Sequence, residues 1–267
     1  MICRPPLFGL LLFTLFIGAC TTVPVTGRQQ LDLVPDSSLV QASQQQYQQF
    51  LQENPVVRGT PESELVQRIG QQIRRGVEQY FAGEGNPGAV ADYQWEFNLV
   101  DSPEVNAFAM PGGKVVVYQG LLKIADTPAQ LAAVVGHEVA HVVARHGNER
   151  VSQGLLAQMG GTALSAAMQN QPQATQQLLM TAFGAGAQVG VLLPFSRLQE
   201  AEADHLGLIF MALAGHDPNA AVEVWQKMAT QGGAGAPEFL STHPADTTRI
   251  ENIRKNIPEA MRYYRPN

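Results

Sequence analysis

Residues 134–146 read VVGHEVAHVVARH, an apolar stretch that carries two histidines four residues apart. Residues i and i+4 lie on the same face of a helix, so His137 and His141 can offer two imidazole nitrogens to one metal ion. Glu138 is rotated by about 100° from His137, and its carboxylate can therefore reach a water molecule beside that metal. The H-E-x-x-H pattern is typical of zinc peptidases, which use two histidine ligands and a glutamate base. The alternative is an ordinary helix whose histidines lie in the core or at the surface.

A helix is predicted around this motif. Thr127 can cap its start, Pro128 suits its first position, and Gly147 is expected to end it. The extended pattern H-E-x-x-H-x-x-G-x-x-H does not apply, because Ala144 replaces its glycine and His146 lies one position before its third histidine. The third ligand must therefore come from another part of the chain.

The segment LQEAEADHLG (198–207) holds the carboxylates that can complete the site. Glu149 is expected to lie beyond the end of the motif helix and to point away, and the next carboxylate is Glu200. Glu200 and Asp204 share a helical face, while Glu202 lies about 200° away from Glu200. A long glutamate can ligate the metal, and a short aspartate behind it can accept the other ring N–H of a ligand histidine. The alternative is a solvated acidic turn near a helix start, where glutamate is favourable.

The rest of the chain predicts an α+β fold that is mainly helical. Apolar residues recur at helical spacing in 36–53 and 65–81, whereas 93–101 and 105–120 have the composition and turn signals of strands. These strands predict a small sheet of about three strands beside the motif helix. Further helices are predicted to start at three caps: Ser196, Asp217 and Asp246.

Composition bounds the function classes. The chain has 267 residues, of which 45% are hydrophobic, so it can bury a substantial core. Its formal net charge is −6 and it has no dense Lys/Arg run, which argues against nucleic acid as a partner.

The N-terminus has the layout of a secretory signal peptide. An apolar run at 7–17, too short to span a bilayer comfortably, is followed by small residues before Cys20. Ile17-Gly18-Ala19-Cys20 resembles a bacterial lipobox, so Cys20 is predicted to be lipidated; the alternative is an ordinary signal peptide with an incidental cysteine. The predicted organisation is a signal peptide at 1–19, a lipidated N-terminus and extended tether at 20–35, and a zinc metallopeptidase domain at 36–267.

Five motifs carry a family resemblance. In chain order they are TGRQQL (26–31), NAFAMPGG (106–113), VVGHEVAHVVARHG (134–147), SRLQEAEADHLG (196–207) and STHPADTTRI (241–250). Together they resemble the zinc metallopeptidase family that includes HtpX and the CAAX prenyl proteases, and within it the periplasmic lipoproteins of the BepA, LoiP and YcaL type. The resemblance covers essentially the whole mature chain and implies a zincin-type (gluzincin) fold.

The resemblance also implies roles for single residues. It makes His137, His141 and Glu200 the ligands of one Zn²⁺ per chain. Asp204 then matches the aspartate behind the ligands, and Glu138 matches the general base.

Four further residues match positions near the active site of the family. Asn106 and Ala107 match an edge strand that binds substrate backbone, in agreement with an unpaired edge that recruits an extended peptide. His243 matches a histidine that can approach the zinc and hold the enzyme inactive. Arg249 matches an arginine near the scissile carbonyl. For His243 the alternatives are a plain turn before a helix and a role in stabilising the transition state.

We therefore expect a zinc-dependent endopeptidase of the bacterial envelope that degrades unfolded or misassembled outer-membrane proteins. Its expected partners are those substrates, the membrane through a lipid anchor, and the outer-membrane assembly machinery. Its expected location is the periplasmic side of the envelope, at the outer membrane. One alternative is a lipoprotein chaperone or assembly factor with a latent or structural zinc site. Another is a scaffold that uses the uncharged stretch 151–196 as its contact surface. Glu138 favours the enzyme over this scaffold, because a scaffold does not need a general base.

Overall fold

The computed structural model describes residues 20–155, 196–231 and 237–266, and it shows the predicted, mainly helical α+β fold. Two predicted features lie wholly or partly outside these residues: the signal peptide at 1–19 and the uncharged stretch at 151–196. Among the described residues, no helix combines the length and the apolar character that crossing a membrane requires.

The first described residues form a β hairpin instead of the extended tether that the sequence predicts. Strand β1 (Cys20–Thr22) pairs with β2 (Gln29–Leu31) in antiparallel register. Gly27 in the connection has a φ of 68°, a left-handed value that glycine adopts without strain. Val23 is fully buried in the main core. The N-terminal hairpin (residues 20–31) is therefore packed on the domain.

Two amphipathic helices follow where the sequence predicts them. Helix α1 spans Asp36–Glu53, and α2 spans Pro61–Gly83 behind a capping box at Thr60. Apolar residues that recur every three or four positions give each helix one buried face. These faces comprise Leu39, Tyr47 and Phe50 in α1 and Ile69, Ile73 and Val77 in α2.

The main sheet has four strands in the order β3-β4-β6-β5. Their bounds are Val56–Val57 for β3, Glu96–Val100 for β4, Ala107–Met110 for β5 and Lys114–Tyr118 for β6. The two-residue β3 is the addition to the three strands that the sequence predicts. Strand β6 runs parallel to β4 and antiparallel to β5. Within the described part of the chain, β5 is thus an edge strand. Short 3-10 helices lie at Pro87–Val90 and Gln119–Lys123.

Helix α3 (Pro128–Val143) carries the H-E-x-x-H motif and packs beside β5. Thr127 caps its start, as predicted, by accepting a backbone hydrogen bond. The helix ends before the predicted stop near Gly147, because Arg145 has a φ of 59°. A second helical segment continues directly over 146–155. Glu149, which the sequence predicts to lie beyond the end of the motif helix, lies in this second segment.

Four further helices complete the described fold. They are α4 (Arg197–Leu213), α5 (Asn219–Thr230), α6 (Glu238–Thr242) and α7 (Thr247–Ala260). The predicted caps of α4 and α7 are present, since Ser196 and Asp246 each accept a hydrogen bond from a backbone N–H of the first turn.

Helices α3 and α4 approach each other closely where Gly136 faces Gly207. A Cβ atom added to Gly207 would lie 2.9 Å from the backbone nitrogen of His137, and one added to Gly136 would lie 3.0 Å from the carbonyl oxygen of Gly207. Only glycine leaves room for this contact between backbones. The contact brings the carboxylates of α4 within reach of the histidines of α3.

Gly207→Ala is expected to lower the free energy of unfolding by about 1–3 kcal/mol, because the added methyl group meets backbone that has to move. Urea denaturation measures the change. Gly83→Ala is the matched control: nothing lies within 4 Å of a Cβ added to this helical glycine, so its stability should stay equal or rise. A Gly207→Ala protein as stable as the wild type would show that the two helices can separate freely.

Candidate metal centre

The two histidines of α3 meet a carboxylate from α4 and a histidine that follows α6. Nε2 of His137 lies 3.0 Å from Nε2 of His141 and 3.2 Å from Nδ1 of His243. Oε1 of Glu200 lies 3.2 Å from Nε2 of His141 and 2.9 Å from Nδ1 of His243. All four side chains are buried, and one ligand atom of each lies within 4.8 Å of those of the others. The structure thus brings the three predicted ligands together and adds His243 to them.

The spacing within this cluster fits a tetrahedral zinc ion. Zinc bonds of about 2.0–2.1 Å to nitrogen or oxygen imply ligand atoms about 3.3 Å apart. The distances within the cluster include 2.9 Å between His243 and Glu200 and 3.5 Å between Nε2 of His137 and Oε2 of Glu200, and all ligand atoms lie within 4.8 Å of one another. One cation at the centre of the three ring nitrogens and the carboxylate would satisfy all four ligand groups together. The cluster is therefore able to hold Zn²⁺.

The protonation states of the ligands suit a divalent cation. Burial lowers the pKa of His137 and of His141, which keeps both imidazoles neutral, as ligation requires. For Glu200, burial raises the pKa, but His243 and Arg249 lower it by more, and the net pKa lies well below the ordinary value. An ionised carboxylate therefore faces the neutral imidazoles of His137 and His141.

Asp204 lies behind His137, where the sequence predicts it. Its Oδ1 is 2.9 Å from Nδ1 of His137, which directs Nε2 of that ring into the cluster. Arg249 holds the same carboxylate with Nε and Nη2 at 2.8 Å each, and its Nη1 lies 2.7 Å from Oε2 of Glu200. The guanidinium also stacks on Trp225 at 3.6 Å from the ring centroid. Arg249 thus orients two carboxylates from behind, and its predicted contact with the scissile carbonyl stays a prediction.

Glu138 is buried beside the cluster. Among the residues that the structure describes, its Oε1 has no hydrogen-bond partner, and this atom lies 3.6 Å from Nε2 of His243. Burial raises the pKa of Glu138 to about 7, although His243 acts in the opposite direction. A backbone hydrogen bond from Ala109 of β5 holds the carboxyl group. A buried carboxyl group with a pKa near neutrality and an unused oxygen is suited to accept and release a proton.

The predicted substrate-binding residues lie at the start of the edge strand β5. The carbonyl of Asn106 accepts the backbone N–H of Tyr118, and its side-chain oxygen accepts the N–H of Ala107. The carbonyl of Val105, just before them, accepts the N–H of Phe239 at 3.3 Å. An edge strand can add an extended peptide through such backbone groups. Substrate binding by Asn106 and Ala107 stays a prediction.

A second polar cluster lies beside the metal centre, and the sequence does not place its members correctly. Glu149, predicted to point away, is buried and lies 2.7 Å from Arg28. Glu202 is also buried, and its carboxylate lies 3.2 Å from His146. His146 in turn lies 2.9 Å from Nδ1 of His141. The TGRQQL motif, which includes Arg28, is the sequence signal for this cluster.

Known proteins resemble this chain over most of its length. A family model described as Peptidase family M48 matches residues 70–257. The mitochondrial metalloendopeptidase OMA1 of Schizosaccharomyces pombe is 40% identical over 174 residues, which are 64% of this chain and 49% of that protein. The mitochondrial metalloendopeptidase OMA1 of Bos taurus is 31% identical over 261 residues, 96% of this chain and 49% of that protein. The beta-barrel assembly-enhancing protease of Escherichia coli K12 is 32% identical over 166 residues, 60% of this chain and 34% of that protein. The chain spans about half the length, or less, of these curated relatives.

These comparisons correct the predicted location. The sequence predicts a protein on the periplasmic side of the envelope, at the outer membrane. This prediction is wrong, because relatives at 30–40% identity, including one that matches 96% of the chain, are named as mitochondrial proteases. The bacterial assembly-enhancing protease matches a smaller share of the chain.

The matched span of the family model, residues 70–257, includes the whole metal cluster and Glu138 and covers more than half of the chain. The predicted family is therefore confirmed, and zinc, the metal of its peptidases, is the cofactor that the buried cluster fits. The chain belongs to Peptidase family M48.

Proposed function

We propose that the chain is a zinc-dependent endopeptidase whose metal ligands are His137, His141 and Glu200. The observation that carries this proposal is the convergence of their ligand atoms in one buried cluster, next to a glutamate with an oxygen that makes no hydrogen bond to the described residues. The names of the OMA1 relatives, which are metalloendopeptidases, support the same activity.

In this proposal Glu138 is the general base. When bound, zinc supplies a Lewis acid that polarises the scissile carbonyl and lowers the pKa of a water molecule. Oε1 of Glu138 accepts a proton from the attacking water and afterwards donates it to the leaving amine. A pKa of about 7 allows the carboxyl group both to take up and to release this proton. The N–H of Ala109 holds the other oxygen, so Oε1 keeps its direction.

Strand β5 supports the proposed choice of substrate. A peptide that adds beside β5 passes Glu138, because Ala109 of that strand bonds to this residue. Only a segment without secondary structure of its own can add in this way, so we infer unfolded or misassembled proteins as substrates. The relatives named beta-barrel assembly-enhancing proteases support β-barrel proteins under assembly as substrates, and an assembly machinery as a partner. Lipidation of Cys20, which is exposed at the start of the N-terminal hairpin, stays a prediction.

The direct test combines metal analysis with cleavage of casein, an unfolded protein. The purified chain is expected to hold about one zinc ion and to cleave casein. A chelator should abolish cleavage, and one equivalent of zinc should restore it, because the ligands select a divalent cation. Metal-free protein that cleaves casein at the same rate would contradict the proposal.

A second function, a chaperone or assembly factor with a latent zinc site, is favoured by one observation. His243 gives the cluster a fourth protein group, and four protein ligands are typical of closed structural sites. Its ring stacks on Phe239, with centroids 4.6 Å apart and planes at 25°. Burial lowers the pKa of His243, but Glu200 and Glu138 raise it by more. These contacts hold the ring as the fourth ligand group of the cluster, the position that a catalytic zinc site keeps open.

His243→Ala is expected to cleave casein faster than the wild type with unchanged zinc content. If the His243 ring leaves the metal cluster in about 10% of wild-type molecules, removing the ring should raise the cleavage rate about tenfold. Initial rates and metal analysis on both proteins measure this. Ser241→Ala, an exposed change in the same segment, should behave like the wild type. Slower cleavage by His243→Ala at full zinc content would instead assign the histidine to transition-state stabilisation.

A further inference from the structure

A chain of buried polar side chains leads from His141 to the N-terminal hairpin, and metal ligation alone does not explain it. His141 directs Nε2 into the metal cluster and Nδ1 away from it, towards His146. The two Nδ1 atoms are 2.9 Å apart. His146 is fully buried in the helical segment 146–155 and is not part of the group that can hold a metal.

The chain continues from His146 to a carboxylate of α4. Nε2 of His146 lies 3.2 Å from Oε2 of Glu202, which is 2% exposed. Two residues of the TGRQQL motif hold this carboxylate from the other side. Thr26 donates its hydroxyl to Oε1 of Glu202 at 2.7 Å, and Nε of Arg28 lies 2.9 Å from both carboxylate oxygens.

The proton positions along this chain follow from the role of His141. When Nε2 of His141 binds a metal, Nδ1 of the same ring carries the proton and donates it to Nδ1 of His146. A neutral His146 then carries its own proton on Nε2 and donates it to Glu202. Each of the two rings thus donates one proton towards Glu202, and this direction of donation favours one orientation of the His141 ring.

The hydrogen bonds that start from each of the two histidine ligands therefore lead to a carboxylate of α4. His137 reaches Asp204 directly at 2.9 Å, whereas His141 reaches Glu202 through His146. Residues two apart on a helix point in opposite directions, which explains how neighbouring carboxylates serve two different rings.

We infer that His146 is a positioning residue for the zinc ligand His141, and that the N-terminal hairpin fixes it by holding Glu202 with Thr26 and Arg28. The inference rests on the proposed zinc site. Mutation of a residue that orients a ligand ring typically lowers metal affinity about 10- to 100-fold. Because coupling between two binding equilibria is reciprocal, bound zinc should also strengthen the docking of the hairpin.

The test is a double-mutant cycle on the zinc affinity of the full chain, measured by competition with a chromogenic chelator. His146→Phe keeps a ring but removes both nitrogens, and Glu202→Gln removes the charge that accepts the proton. Each single variant is expected to bind zinc about 10- to 100-fold more weakly. The double variant should bind zinc no more weakly than His146→Phe, because both residues act through the same chain of hydrogen bonds. The absorption spectrum of the cobalt-loaded protein should also change in His146→Phe, since the ligand ring is no longer fixed.

Glu149→Gln is the matched control. Glu149 is a buried carboxylate that binds Arg28 and Gln199, and it acts on the pKa of His146 only through its charge and less than Glu202 does, so its loss should lower stability and change zinc affinity much less than Glu202→Gln. Wild-type zinc affinity in His146→Phe, additive effects in the cycle, or an equal loss of affinity in Glu149→Gln would each overturn the inference. If His146→Phe does not fold, the comparison of Glu202→Gln with Glu149→Gln decides alone. A wild-type chain that binds no zinc would refute the proposed metal site instead.

Discussion

Glu138→Gln is expected to reduce the rate of casein cleavage by about 10²- to 10⁴-fold, the contribution typical of a general base, while zinc stays bound. The amide cannot take a proton from water. Its size matches the carboxylate, and its oxygen can still accept the backbone N–H of Ala109. Initial rates at saturating casein, combined with metal analysis of the same samples, measure the effect.

Glu149→Gln controls for the loss of any buried negative charge near α3. Glu149 pairs with Arg28 and Gln199 and takes no part in the metal cluster, so this variant should retain most of the activity. Glu138→Gln protein that is fully loaded with zinc and keeps more than a tenth of the wild-type rate would show that another group accepts the proton.

Glu200→Gln is expected to lose most of its zinc during purification. The neutral amide is a weak ligand, and the change also leaves the guanidinium of Arg249 without one of its two carboxylates. Glu202→Gln should keep zinc through the same purification, because this residue acts on the metal only through His146. The number of zinc ions per chain after dialysis measures both variants.

Thermal unfolding gives an independent readout of the same assignment. A ligand that binds only the folded state stabilises it by about 4 kcal/mol when its free concentration is 1,000 times the Kd. Added zinc should therefore raise the Tm of the wild type and of Glu202→Gln, and have little effect on Glu200→Gln. A rise in the Tm of Glu200→Gln but not of Glu202→Gln would identify Glu202 as the zinc ligand instead of Glu200.

The sequence predicts those parts of the site whose causes are local. Helical spacing predicts α2, and capping residues predict the starts of α3 and α4. The i, i+4 rule directs His137 and His141 to one side of α3. The four-residue spacing of Glu200 and Asp204 likewise predicts that they share a helical face, whereas their assignment to the metal site rests on the lack of other carboxylates and on the family resemblance. Each inference from capping or spacing needs only the residues within one or two helical turns.

Contacts between distant segments could not be predicted in this way. Arg28 and Glu149 are 121 positions apart, and no periodicity connects them. The change of direction at Arg145 is a further example, since a left-handed conformation at a non-glycine residue depends on its surroundings and not on its type. That one residue starts the helical segment of His146 and Glu149 and so turns two polar side chains back into the core.

Backbone groups along the edge strand β5 already make hydrogen bonds within the protein. The N–H of Ala107 bonds to the side chain of Asn106, and the carbonyl of Val105 accepts the N–H of Phe239. A peptide that pairs with β5 must exchange these internal bonds for its own, so its apparent Kd is the intrinsic Kd divided by the fraction of molecules with an open edge. With about 1% open, an intrinsic Kd of about 1 μM would appear as about 100 μM. Short peptides would then bind poorly. A long flexible chain offers many registers that can pair with β5, so the number of registers would favour its binding as much as its sequence does.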